Sequence, residues 1–183
     1  DLGYGVRFSF VQEYFNLLCS DINSYPVARA VAASSAVPVL FNPVVLQNYP
    51  GCSSEETGLL KVARKQSSEN PEMLQVVTGL QTYAMKDKRQ YVHFVDGGIT
   101  DNLGLRAIYE IVEIAGGPRE FLRSKGRTIP DHLVVVSVNA STEPQPTMDL
   151  SNKQPSLKET IDAVSSAQLH RYNAATLELM ENT

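Results

Sequence analysis

The sequence predicts an α/β fold built on a parallel sheet. Two strand-like runs carry that prediction, Tyr91-Val92-His93-Phe94-Val95 and Leu133-Val134-Val135-Val136-Ser137-Val138, together with the helix-period stretch 103–115 between them. The continuous β-branched run at 133–138 is typical of a strand covered on both faces. Strand, helix, strand in that order is a βαβ unit, whose strands lie parallel with a right-handed crossover. A further observation is the turn Asp96-Gly97-Gly98-Ile99-Thr100-Asp101-Asn102. It places an acid and two glycines just past the carboxyl end of a strand, the edge at which open α/β sheets bind ligands.

Residues 5–10 read as a short strand with Phe8 and Phe10 on one face. Ser9 and Gln12 have the spacing of a capping box, and Val11, Phe15, Leu18 and Ile22 recur at helical intervals, so a helix is expected to run to Asn23. Pro26 suits a first helical turn and opens a second helix that stops before Pro38. Its surface is nearly all alanine, serine and valine, which predicts burial against close neighbours. Residues 48–58 form a loop, and a polar helix follows over 59–66. Asn70-Pro71 begins a helix to about residue 84, with Leu74, Val77 and Leu80 on one face, and Lys86 to Arg89 make a charged turn. In the helix 103–115, Leu105, Ile108, Val112 and Ala115 are expected to face inward, with Gly116-Gly117 closing it. After a basic crossover loop and the second strand, a linker at 145–152 leads to a long helix from Pro155 to about Met180. Its expected inward stripe is Leu157, Ile161, Val164, Gln168 or Leu169, Tyr172, Ala175 and Leu179. Packing on its own domain is the reading, and a dimer seam the alternative.

The 183 residues suit a single domain, residues 1–145 forming the α/β part and 146–183 the linker and final helix. Hydrophobic residues make up 43% and the formal net charge is −4. With no basic field and no Cys/His zinc pattern, a nucleic-acid partner is not expected. The most apolar run, 37–46, is broken by Pro38, Asn42 and Pro43 and has about half the ~20 residues of a membrane span. Cys19 falls on the apolar side of a helix, where a buried free thiol is the commoner state, and Cys52 sits in a loop. One disulfide is open to them.

Asp96 is the candidate catalytic residue. Beside a helix N-terminus a carboxylate stays ionised, because the helix dipole favours the anion. Such a group serves as a general base, or holds a metal, or simply satisfies turn amides. The adjoining glycines let backbone approach a ligand and permit positive φ.

Two blocks extend this reading. Val95-Asp96-Gly97-Gly98-Ile99-Thr100-Asp101-Asn102-Leu103-Gly104-Leu105 resembles the Asp-Gly-Gly/Ala block of patatin-like phospholipases. Upstream, Ala28-Arg29-Ala30-Val31-Ala32-Ala33-Ser34-Ser35-Ala36-Val37-Pro38 resembles the alanine-rich helix before a proline in the same family. The resemblance covers residues 5–45 and 90–140. It implies a three-layer α/β sandwich with a mostly parallel central sheet, here without its N-terminal strands. It also implies a lipid acyl hydrolase with a Ser–Asp dyad, a lipid or other acyl-ester substrate, peripheral membrane contact, and neither cofactor nor metal. Asp96 corresponds to the dyad aspartate. The family's G-x-S-x-G nucleophile elbow and glycine-rich oxyanion loop have no counterpart in the chain. Both are expected in a missing N-terminal segment or on a partner chain, so the chain by itself is expected to be inactive.

A dyad needs no histidine, whereas a triad would. His93 lies three residues back on the same strand, about 10 Å away and of opposite parity. His132 begins the next strand at the far edge of the sheet, and the sequence alone does not place His170. Ser34 and Ser35 read as small packing residues, with a nucleophile role as the alternative. Asp101 reads as a cap or first-turn residue of the helix, in competition with Asn102. Its alternative is a second acid beside Asp96. Asn139, Ser141 and Thr142 follow a strand at the same sheet edge, and Leu40, Phe41, Val44, Val45 and Leu46 read as core or as an acyl pocket. Arg119, Arg123, Lys125 and Arg127 read as a solvated loop, or as a contact for anionic headgroups. Two rival functions remain: a scaffold of the same fold that has lost its nucleophile, and a Mg²⁺/phosphate-binding fold of the actin or sugar-kinase type.

Overall fold

A computed structural model of the chain describes residues 1–52, 58–67, 70–139 and 148–181. It is a mixed α/β structure, rich in helix, with one two-stranded sheet among the described residues. The elements run α1 (Gln12–Leu17), α2 (Val27–Ser34), β1 (Val44–Gln47), α3 (Gly58–Gln66), α4 (Pro71–Gln81), β2 (Tyr91–Phe94), α5 (Gly98–Asp101), α6 (Leu105–Ile114), α7 (Pro118–Ser124) and α8 (Leu157–Glu181).

β1 and β2 pair antiparallel, with Val44 opposite Phe94 and Leu46 opposite Val92. Leu46, Val92 and Phe94 point into the core, while Val45, Tyr91 and His93 are exposed. The expected parallel partner does not form a strand. Leu133 to Val138 is exposed coil, Val136 by 81% and Val138 by 85%. One physical reason lies on β2 itself, where the His93 carbonyl accepts from the Leu2 amide at 2.8 Å. The N-terminal segment therefore occupies part of the edge that a parallel neighbour would need.

The core is aromatic. Phe8 meets the rings of Phe10, Tyr14, Phe15, Tyr83 and Phe94, with centroids 4.7–5.9 Å apart in tilted or edge-on geometry. These separations are in the range where ring quadrupoles attract. Leu17, Leu18, Leu46, Leu80 and Val92 complete this core. A smaller cluster of Ala63, Met73, Val77 and Ile114 joins α3, α4 and α6.

Residues 5–10 supply Val6 and Phe8 to the core as coil rather than as a strand. The capping box is not made. Ser9 Oγ accepts from Arg7, while the Gln12 side chain reaches Asn16, the Ser20 carbonyl and the Ile22 amide. α1 stops six residues short of the expected Asn23, because Cys19 takes a left-handed φ of 55°. The Cys19 amide bonds to Asn16 O and the Ser20 amide to Phe15 O, the Schellman pattern with cysteine where glycine is usual. Gly116 and Gly126 close α6 and α7 in the same way. The expected free thiol is corrected too. Cys19 is bridged to Cys52 with Cα atoms 5.5 Å apart, pinning the 48–52 loop to the end of α1. Tyr49 adds an amide bond to Leu18 O.

α4 forms as read. The Asn70 side chain accepts from the Glu72 and Met73 amides at 3.1 Å, and Pro71 stands in the first turn. The charged turn after it is not simply solvated. Arg89 is buried against Tyr83 and paired with Asp1, and Lys86 Nζ donates to Leu17 O and Asn48 Oδ1. The small surface of α2 is used on one side only, where Ala33 and Ala36 are buried while Val27 and Val31 are exposed. α6 is rotated from its expected face, burying Leu105, Tyr109, Glu110 and Ile114 and exposing Ile108. α8 leaves its apolar stripe open, including Leu157, Val164 and Tyr172, and buries Asn173 and Thr176. A polar contact sets that rotation. Arg106 Nε donates to Thr176 Oγ1 at 2.8 Å, and the guanidinium lies over the Tyr172 ring. The basic cluster lies on α7 and the turn after it, with Arg123 paired to Glu120.

Two outcomes test this packing. The bridge closes a 33-residue separation, so reduction is expected to lower unfolding stability by roughly 3–4 kcal/mol, read as a shift in urea midpoint with and without reductant. Gly→Ala inside a helix normally stabilises by about 1 kcal/mol. At Gly79 the added Cβ falls 2.0 Å from Val6 Cγ2, so Gly79→Ala is expected to cost about 1–3 kcal/mol. Adding Val6→Ala is expected to remove most of that increment in a double-mutant cycle.

Candidate functional site

Asp96 follows β2 at the point where the chain turns into α5. The C-terminal end of α2 holds this turn from outside. The Asp96 amide donates to Ala36 O at 3.0 Å and the Gly97 amide to Ser34 O at 3.3 Å. The carboxylate is fixed by one oxygen, since Oδ1 accepts from the Gly98 amide at 2.6 Å. Oδ2 has no hydrogen bond among the described residues. One oxygen is therefore anchored to the turn.

Neither glycine takes a positive φ, and only Gly98 acts through space, since a Cβ on Gly97 would meet nothing nearer than Ser34 Oγ at 3.9 Å. A Cβ on Gly98 would stand 2.9 Å from Asp96 Oδ1 and 3.1 Å from Asn102 Oδ1. The absence of a side chain at Gly98 is thus what lets the carboxylate lie over the amide. Left-handed backbone is needed further on, at Gly104, where φ is 69° between α5 and α6.

Asp96 lines a cavity of about 180 Å³. Phe8, Phe10, Phe94 and Ile99 make its walls largely apolar, and Ser34 and Thr100 add hydroxyls. Ser34 was expected to be a mid-helix packing residue. It is instead the exposed last residue of α2, and its Oγ has no hydrogen bond among the described residues. Ser35 Oγ donates back to Val31 O and faces away from this role. Sequence reasoning missed the cavity because Ser34 meets Asp96 through the α2–turn hydrogen bonds and Phe8 joins them through its ring contact with Phe94, both between residues far apart in the chain.

The other candidates separate. Asp101 caps α6, its two oxygens accepting from the Arg106 amide at 3.1 Å and the Ala107 amide at 2.9 Å. None of His93, His132 and His170 lines the Asp96 cavity. Asn139 is exposed, and Ser141 and Thr142 lie outside the described residues. Of the 40–46 run, Leu46 is core and Val44 packs against it, while Leu40, Phe41 and Val45 are exposed. They continue an apolar knuckle with Val37 and Val39, the latter at a left-handed φ of 74°. No metal-binding cluster of His, Cys, Asp and Glu occurs among the described residues, and no described helix is long and apolar enough to cross a membrane.

A second, larger cavity of about 460 Å³ shares Gly5, Val6, Arg7 and Thr100 with the first. Arg7 pairs there with Glu110, and both are mostly buried. Burial pushes the Glu110 carboxyl above its ordinary range, with Arg7 opposing it. Comparison with known proteins found no matching family, no matching curated protein and no matching solved structure.

Gly98→Ala is expected to displace the Asp96 carboxylate and lengthen its bond to the residue 98 amide beyond 3.5 Å. A crystal structure, or the amide proton shift at residue 98, reads this directly. Stability is expected to change by less than about 1 kcal/mol, because alanine favours the helix that begins there.

Proposed function

We propose that this chain supplies the aspartate of a Ser–Asp dyad in a patatin-like lipid acyl hydrolase, the nucleophilic serine and oxyanion donors coming from outside the chain. The observation that carries the reading is the Asp96 carboxylate, tethered to Gly98 N–H through Oδ1 and open at Oδ2 on the rim of an apolar cavity. Resemblance of the 28–38 and 95–105 blocks to that family adds to it, and in this structure the two blocks are hydrogen-bonded to each other. In the complete fold, Leu133 to Val138 would join a mostly parallel sheet once its neighbours are present.

In the proposed reaction, Asp96 Oδ2 takes the proton of the serine hydroxyl as its oxygen bonds to the ester carbonyl carbon. Backbone amides hold the oxyanion, the alkoxy leaving group departs with the proton, and an acyl-enzyme remains. Water attacks that ester with Asp96 again as base, releasing the fatty acid and restoring the serine. The apolar walls set by Phe8, Phe10 and Phe94 suit an acyl chain, and the exposed knuckle at 37–41 suits contact with a lipid surface.

The test is fluorophosphonate labelling of the full-length protein with peptide mapping, against Asp96→Asn. The expected result is a labelled serine outside residues 1–183 and a labelling rate about 100-fold or more lower in the variant. A folded protein that takes no label overturns the reading in favour of a scaffold. The position of Ser34 in the Asp96 cavity favours a second reading, in which the chain provides its own nucleophile. Label mapped to Ser34, or multiple turnovers by the pure 183-residue chain that Asp96→Ala abolishes, would replace the first reading with the second.

A further inference from the structure

The larger cavity adjoins the Asp96 cavity through Gly5, Val6, Arg7 and Thr100, but Asp96 itself does not line it. It is bounded by the N-terminal segment, α4, α5, α6 and α8, and three guanidinium groups line it: Arg7, Arg106 and Arg171. Three carboxylates share the walls, and each is already engaged. Glu110 holds Arg7, Glu72 holds Arg106, and Asp101 accepts the α6 amides. The donors are not all engaged. The Arg171 side chain makes no hydrogen bond or ion pair among the described residues. Arg7 Nε also has no acceptor, but it is sealed from solvent and offers a ligand nothing. Arg106 is held in place by Thr176 and by the Tyr172 ring, 5.3 Å from its guanidinium carbon. Arg171 therefore presents unengaged N–H donors to a space large enough for a small molecule.

We propose that this cavity is a binding site for a small molecule bearing an oxyanion, a phosphoryl or carboxylate group, held by Arg171 with Arg106 as its fixed neighbour. The planar fork of arginine matches both groups in a two-bond geometry, which a lysine would not reproduce. The ring of Tyr172 covers one face of Arg106 and narrows the orientations that the guanidinium can take. Because Arg171 is on α8 and the other two arginines are not, a bound anion would also tie α8 to the body of the domain.

Isothermal titration calorimetry on the full chain tests this, with glycerol 3-phosphate as the phosphoryl probe and succinate as the carboxylate probe. Potassium chloride at matched ionic strength is the control. The expected result is saturable binding of at least one probe, weakened about tenfold or more in Arg171→Gln and only partly restored in Arg171→Lys. Asp96→Asn is expected to leave it unchanged, which separates this site from the hydrolase reading. Arg171 is exposed, so both variants are expected to keep the wild-type circular dichroism and melting temperature, and a loss of binding then reports the site itself. The proposal is overturned if neither probe saturates beyond the salt control, or if Arg171→Gln binds as tightly as wild type.

Discussion

Phe8 is the ring on which the rest of the molecule rests. It sits on a segment with no regular structure of its own, yet it touches rings contributed by α1, by the turn after α4 and by β2. Those elements have few other contacts in common, so the aromatic cluster takes the place of a larger sheet. Ring–ring contacts of this kind add about 0.5–1.5 kcal/mol each beyond the area they bury. Phe8 also forms part of the floor of the Asp96 cavity. The group that organises the core therefore shapes the candidate site, and the two properties are coupled through one side chain.

The position of the Asp96 carboxylate follows from two constraints that meet at the turn. Locally, Gly98 offers an amide with nothing in front of it. Non-locally, the end of α2 accepts from the Asp96 and Gly97 amides, so the turn cannot move without α2. Helix α2 gains its own footing through Ala33 and Ala36, which are small enough to let the backbones come together. This is why an alanine-rich helix precedes the acidic turn by some sixty residues yet acts on it directly. Charge is organised next door, where Arg7 bridges the two cavities and pairs with Glu110. A buried pair of this kind does more to hold orientation than to add net stability, because desolvation offsets most of the Coulomb gain.

Much of the helical framework was legible in the sequence, and the reasons are local. α4 is announced by Asn70 and Pro71, whose capping and φ preference act within one turn. α8 and α6 follow from periodicity, and Gly116 marks a helix end because a left-handed residue is needed there. The rotation of these helices was not legible. α6 buries Glu110 and exposes Ile108, and α8 buries Asn173 and Thr176 while its apolar stripe stays open. Both follow from arginine contacts, Arg7 with Glu110 and Arg106 with Thr176, that join residues about 100 and 70 positions apart. The Ser9–Gln12 box failed for a related reason: both side chains found other partners.

By itself the sequence determined several helix boundaries, such as the Asn70-Pro71 start of α4 and the Gly116 end of α6, that an acid followed by two glycines comes after a strand, and that no G-x-S-x-G elbow is present. These are properties of short windows, set by φ preference, capping and periodicity. Only the tertiary structure decided that β2 pairs antiparallel with β1, that Cys19 and Cys52 are joined, and that Ser34 shares a cavity with Asp96. Pairing and convergence depend on which distant groups satisfy each other's hydrogen bonds and bury each other's apolar surface, and no local pattern encodes that choice.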